Sequence, residues 1–109
     1  MKRGEIWTVG GGPGYASKPP PALILQSDRL DGTNSVLTCG LTTYNAAELE
    51  LRPPVRPVPE NGLREPSEVM VDKIMAVPRA RLGKRVGALT TEEMSRVEQA
   101  LLLVLGFGD

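Results

Sequence analysis

Short alternating or continuous apolar runs fill most of this chain, and a helical repeat takes over only near its end. Gly4-Glu5-Ile6-Trp7-Thr8-Val9 is β-branched and aromatic and predicts a first strand, followed by a flexible loop at Gly10–Gly14. Pro19, Pro20 and Pro21 remove three backbone donors and fix φ, so they lead into a strand and do not lie at its centre. Ala22-Leu23-Ile24-Leu25 is apolar on both faces, the pattern of a central strand covered above and below. Ser27–Gly32 reads as a turn, and Ser35–Leu41 as a third strand with Leu37, Cys39 and Leu41 on one face, closed by Thr42-Thr43-Tyr44-Asn45. From Leu51 to Val58 apolar residues alternate with Arg52 and Arg56, but Pro53, Pro54 and Pro57 confine this segment to a sheet edge. Asn61-Gly62 marks a tight turn. Glu68–Val77 is the longest expected strand, with Val69, Val71, Met75 and Val77 sharing a face. Pro78–Leu82 follows as a short turn of helix and Val86–Leu89 as a last strand.

The end of the chain carries the clearest local signal. Thr90 with Glu93 forms a capping box, and Leu89 with Met94 the matching hydrophobic staple. Met94, Val97, Leu101 and Val104 then recur at helical spacing until Gly106 stops the helix. Leu101–Leu105 is apolar all round, so this end needs cover on more than one side, from its own sheet or from a second subunit. Strands first and one long helix last predict a single α+β domain over residues 1–109, built on an antiparallel sheet.

Composition narrows the chemistry. Thirteen Lys+Arg balance thirteen Asp+Glu, whereas domains that coat duplex nucleic acid are usually basic, so any nucleic-acid activity must come from a local patch. The chain has no histidine, which removes the usual metal ligand and the side chain best suited to proton transfer near neutral pH. Cys39 is the single cysteine, so neither a disulfide framework nor a multi-cysteine zinc site is expected. With no histidine to draw off its proton, Cys39 reads as an inert core residue. No apolar run is long enough for a membrane helix and no secretory segment is evident, so a cytoplasmic location away from membranes is expected.

Three features invite a functional reading. Asp72 sits between Val71 and Lys73 inside an apolar strand, on the face expected to carry Met70 and Ile74. An ionised carboxylate there needs a partner, either a structural ion pair with a lysine or arginine, or a role at a phosphate or base. The Gly10–Gly14 loop leading to Lys18 lacks the Gly-Lys-Ser/Thr ending of a nucleotide-binding loop and suits either a flap beside a site or a plain hairpin connection. Thr42 and Thr43 end a buried strand, where threonines ordinarily bond the backbone.

The set of segments is more telling than any one of them. Lys2-Arg3-Gly4-Glu5-Ile6-Trp7, Lys18-Pro19-Pro20-Pro21-Ala22-Leu23-Ile24-Leu25-Gln26, Leu41-Thr42-Thr43, Val69-Met70-Val71-Asp72-Lys73-Ile74, Arg81-Leu82-Gly83, Val86-Gly87-Ala88-Leu89 and Leu105-Gly106-Phe107 occur in one order along nearly the whole chain. In that order they resemble the toxins of the MazF/PemK family. The resemblance implies a twisted antiparallel sheet, partly closed like a small SH3-like barrel, with a C-terminal helix and a two-fold homodimer. It also implies metal-independent, cofactor-free cleavage of single-stranded RNA at a specific sequence, by attack of a ribose 2′-hydroxyl on its own phosphate. A cognate antitoxin is the implied protein partner, and operator DNA is implied only through it.

Carried over residue by residue, the resemblance gives Thr42 and Asp72 as catalytic residues and Lys18, Thr43 and Lys73 as RNA contacts. It also exposes a conflict. The catalytic arginine of the family falls on Pro20, which has neither charge nor donor. An impaired toxin, a dead toxin-like binding protein and a rearranged site using Lys18, Arg79 or Arg81 are then all open. Related toxins on this fold poison DNA gyrase by binding, which gives the rival function.

Overall fold

The computed structural model describes residues 1–10, 19–45 and 51–107. Most of the Gly10–Gly14 loop, and Lys18 with it, lies outside them. Among the described residues six strands form one antiparallel sheet: β1 (Glu5–Val9), β2 (Pro21–Ile24), β3 (Ser35–Thr43), β4 (Pro54–Val55), β5 (Ser67–Pro78) and β6 (Leu82–Ala88). Their order is β4-β5-β3-β2-β1-β6. A 3₁₀ turn at Arg79–Arg81 joins β5 to β6, and helix α1 spans Thr91–Leu105.

Proline and apolar patterning explain the order. β2 starts on the last of the three prolines, and Ala22, Leu23 and Ile24 are buried between β1 and β3, as a strand covered on both faces requires. Pro53, Pro54 and Pro57 leave β4 only two residues long and at the sheet edge. The two ends of the sheet curl towards each other, since the Ala88 N–H of β6 donates to the Glu60 carbonyl at 3.0 Å, just beyond β4. The sheet is thus a half-barrel.

Three expectations need correction. β3 runs on through Thr42 and Thr43, which pair with Glu68 and Ser67 of β5, and β6 begins at Leu82, which pairs with Val9 of β1. The face expected to unite Val69, Val71, Met75 and Val77 does not exist. Cys39 opposes Ile74 while Leu41 opposes Val69, so one residue of β3, Gly40, faces four of β5, Met70–Lys73. That wide bulge reverses which side each later residue faces. Val69 and Val71 enter the core, Met75 is half exposed, and Val77 packs beside Val36 on the opposite face. Leu37 shares a face with Cys39 and Leu41, as expected, and is half exposed.

The capping box forms as expected, with the Glu93 N–H donating to Thr90 Oγ1 at 3.1 Å and the Thr90 N–H to Glu93 Oε1 at 2.9 Å. Gly106 ends the helix in the left-handed conformation at φ 81°. Met94, Val97 and Ala100 join Ile6, Leu23, Cys39, Leu41, Val69 and Val71 in the core, with the staple residue Leu89 alongside and Leu101 and Val104 at its margin. Leu102, Leu103 and Leu105 stay half exposed, and Phe107 is 77% exposed.

An acid-sensitive tie joins β1 to β6. Arg85 Nε donates to Glu5 Oε2 at 2.8 Å, while the Lys2 N–H and the Trp7 indole donate to Oε1 at 2.7 and 3.1 Å. Burial pushes the Glu5 carboxyl up, but these donors outweigh it and hold the pKa at about 2 against an ordinary 4.5. A carboxyl lowered on folding contributes fully above its unfolded value and loses that contribution as pH falls from about 4.5 towards 2. Because Arg85 is half exposed, screening leaves the tie about 1–2 kcal/mol. Glu5→Gln is expected to flatten the fall of urea stability across that pH window; the wild-type slope persisting in the variant would refute the tie.

Candidate active site

The proline step that starts β2 also shapes one wall of a cleft of about 460 Å³. Pro20, Pro21, Ala22, Gly40, Met70, Lys73, Met75 and Arg81 are among its lining residues. Gly40 keeps it open at the bulge, for a Cβ there would meet Met70 Cε at 2.8 Å. Ala22 opposes Gly40, so the same register carried two residues further places Pro20 across from Thr42. Thr42 in turn opposes Glu68. Pro20, Thr42 and Glu68 therefore form one cross-strand row beside the cleft, on the face that also carries Gly40 and Met70.

Glu68 is fully buried, and among the described residues neither of its carboxylate oxygens has a hydrogen-bond partner. Its counter-charge is Arg52, whose Nη1 lies 3.7 Å from Oε1. Arg52 precedes Pro54 by two residues, and Pro54 opposes Glu68, so alternation puts the arginine on this same face. The guanidinium then grips Asp72 as a fork, Nε to Oδ1 at 3.0 Å and Nη2 to Oδ2 at 3.1 Å. These bonds hold the Asp72 carboxyl below its usual range against the opposing effect of burial. Asp72 thus has the arginine partner that the sequence left as one of two alternatives, and at neutral pH it is an ionised acceptor.

The other expected residues divide clearly. Lys73 and Arg81 line the cleft, with no side-chain ion pair among the described residues. Arg79 turns away into a separate hollow of about 360 Å³, where it donates to the Thr33 and Leu30 carbonyls. That removes it as a stand-in for the missing arginine. Thr43 is exposed and donates to Glu65 Oε2 at 3.3 Å, beyond the end of the row. Cys39 lies in the core, where burial pushes its thiol up to about 12, so it stays protonated. Thr42 and Asp72 do not line the cleft itself; they flank it through Glu68, Arg52 and Met70.

Comparison with known proteins identifies this arrangement. Residues 2–105 match the family described as PemK-like, MazF-like toxin of type II toxin-antitoxin system. The chain belongs to that family. It is 42% identical over 106 residues to the "Probable endoribonuclease MazF" of Mycolicibacterium smegmatis, with 97% of each chain covered. A solved mycobacterial endoribonuclease in complex with its cognate antitoxin superposes with a TM-score of 0.79 at 26% identity, over 97% of this chain and 95% of that one. The Mycobacterium tuberculosis toxin MazF-mt6 shares the fold, with a TM-score of 0.78 at 24% identity over 94% and 96% of the two chains.

Within this MazF-type half-barrel the sequence alone passed over Arg52, Glu68 and Gly40. The alternation at Leu51–Val58 did place Arg52 on a defined side of an edge strand. What it lacked was the partner, because Asp72 is twenty residues away and its direction depends on the bulge.

Proposed function

We propose that this chain is the toxin of a toxin–antitoxin pair and cleaves single-stranded RNA without a metal ion. In this reaction the ribose 2′-oxygen forms a bond to the adjacent phosphorus while the bond to the 5′-oxygen breaks. The 2′-proton is lost to solvent or a carboxylate, and the leaving 5′-oxygen gains a proton. A 2′,3′-cyclic phosphate and a 5′-hydroxyl result. The observation that carries this reading is the row Pro20–Thr42–Glu68 beside a cleft lined by two cations, Lys73 and Arg81, on a MazF-type scaffold. The printed names of the relatives, endoribonucleases and one of them bound to an antitoxin, support it.

In that setting the Thr42 hydroxyl donates to a non-bridging phosphate oxygen, and Lys73, with Thr43 at the rim, orients the strand. Because Pro20 brings no charge to the row, cleavage is slower than a MazF arginine would allow. A tail of acidic residues from the antitoxin suits the Lys73–Arg81 side of the cleft, and the bare apolar end of α1 suits a second copy of the chain. Among the described residues no helix is long and apolar enough to cross a membrane.

The exposed tip of α1, with Leu105 and Phe107, also fits the rival reading of a gyrase-binding toxin. One experiment separates the two. Purified protein is incubated with a long single-stranded RNA in EDTA and, in parallel, with gyrase and plasmid. The expected result is RNA fragments with 5′-hydroxyl and cyclic-phosphate ends, reduced roughly 10²-fold in Thr42→Val, the usual effect of losing one donor to a developing oxyanion. Trapped gyrase–DNA breaks with intact RNA would replace this reading with the rival.

A further inference from the structure

The row opposite Thr42 lacks a guanidinium at Pro20, yet a guanidinium stands at its other end. Arg52 shares the face of Glu68 and Met70, and Met70 lines the cleft. Its side chain is only 13% exposed, so its charge is little screened by water. Among the described residues two acids hold it, and they are unlike. Glu68 is fully buried and has no hydrogen-bond partner among the described residues, so it cannot leave the cation without stranding a buried charge. The Asp72 side chain is 24% exposed and occupies the outward Nε and Nη2 edge of the fork. A phosphodiester offers the same pair of oxygens to that edge, since arginine forks fit carboxylate and phosphate alike.

We propose that Arg52 is the cation that meets the scissile phosphate in this chain, in place of the guanidinium absent at position 20. Glu68 is the fixed anchor that positions it. Asp72 is the exchangeable occupant, displaced from the outward edge when the phosphate arrives. This rests on the ribonuclease reading above and adds to it a residue that the family resemblance does not supply. It also gives distinct roles, anchor and exchangeable occupant, to the two carboxylates that hold Arg52 among the described residues.

The test measures cleavage of a single-stranded oligoribonucleotide by the full chain and its variants, with thermal melting as the check on folding. Arg52→Lys keeps the charge beside Glu68 but loses the fork, and kcat is expected to fall about tenfold with KM changed much less. Arg52→Gln combined with Glu68→Gln avoids an orphaned buried charge and is expected to cost roughly 10²-fold in kcat. Adding Pro20→Arg to that pair should bring cleavage back to about the wild-type rate, because the new cation acts independently of Arg52. Arg29→Gln, an exposed loop arginine away from the cleft, controls for net charge.

A folded Arg52→Gln/Glu68→Gln variant that cuts as fast as wild type overturns the assignment. So does a wild-type chain that cuts nothing while Pro20→Arg alone cuts, and in that case the ribonuclease reading stands. If neither cuts RNA, both fall.

Discussion

Pro20→Arg is expected to raise RNA cleavage on the order of 10²-fold, the scale on which one charged donor at a developing oxyanion acts. The backbone is prepared for it. Position 20 precedes Pro21, which holds it in the extended region, and the Pro20 carbonyl already accepts the Val9 N–H at 2.9 Å, a bond the substitution leaves alone. The register carries its side chain across from Thr42 and into the cleft lined by Lys73 and Arg81. The new cation would approach the phosphate from the side opposite Arg52, so the two forks do not compete for one oxygen pair. Growth arrest on expression should deepen in parallel. The check is initial cleavage rate at saturating RNA, compared with Pro20→Lys, which brings charge without the fork and should gain less. Equal rates for wild type and Pro20→Arg would show that the arginine role of the MazF family does not transfer to this position.

That prediction depends on a face of the sheet that was only half legible in the sequence. Local rules were legible wherever a few adjacent residues decide the outcome. The Thr90–Glu93 box, the Gly106 stop and the doubly covered β2 needed nothing beyond their own neighbourhood. The edge position of β4 followed from three prolines that cannot donate. What escaped was set by distant pairing. The bulge opposite Gly40 is a property of two strands together, and it moves Met75 and Val77 off the face that Val69 and Val71 occupy. Glu68 looked like an ordinary start of a strand, and only tertiary packing shows it fully buried beside Arg52. Thr42 opposes Glu68, and the arginine that joins Glu68 to Asp72 belongs to a segment read merely as edge.

Gly87→Ala should destabilise the chain by about 3 kcal/mol or more, the upper end for overpacked sites. A Cβ at Gly87 would lie 2.3 Å from the Asn61 carbonyl carbon, 2.4 Å from its oxygen and 2.6 Å from its Cα. Every clashing atom is backbone, so no rotamer can move aside. Nor can the opposing turn retreat. Asn61 is fully buried, its Oδ1 accepts the Val58 and Leu63 N–H groups at 3.2 and 3.0 Å, and its Nδ2 donates to the Arg56 carbonyl at 2.7 Å. Separating the two segments would also stretch the Ala88–Glu60 bond that brings the sheet ends together. The expected fall in melting temperature exceeds about 10 °C for a domain of this size. Gly40→Ala is the internal contrast, because its added methyl meets only the mobile end of Met70. It should cost less than about 1 kcal/mol while narrowing the cleft and slowing RNA cleavage. If the two variants melted together, the closure of the half-barrel through Gly87 would not be the constraint that holds the cleft face in shape.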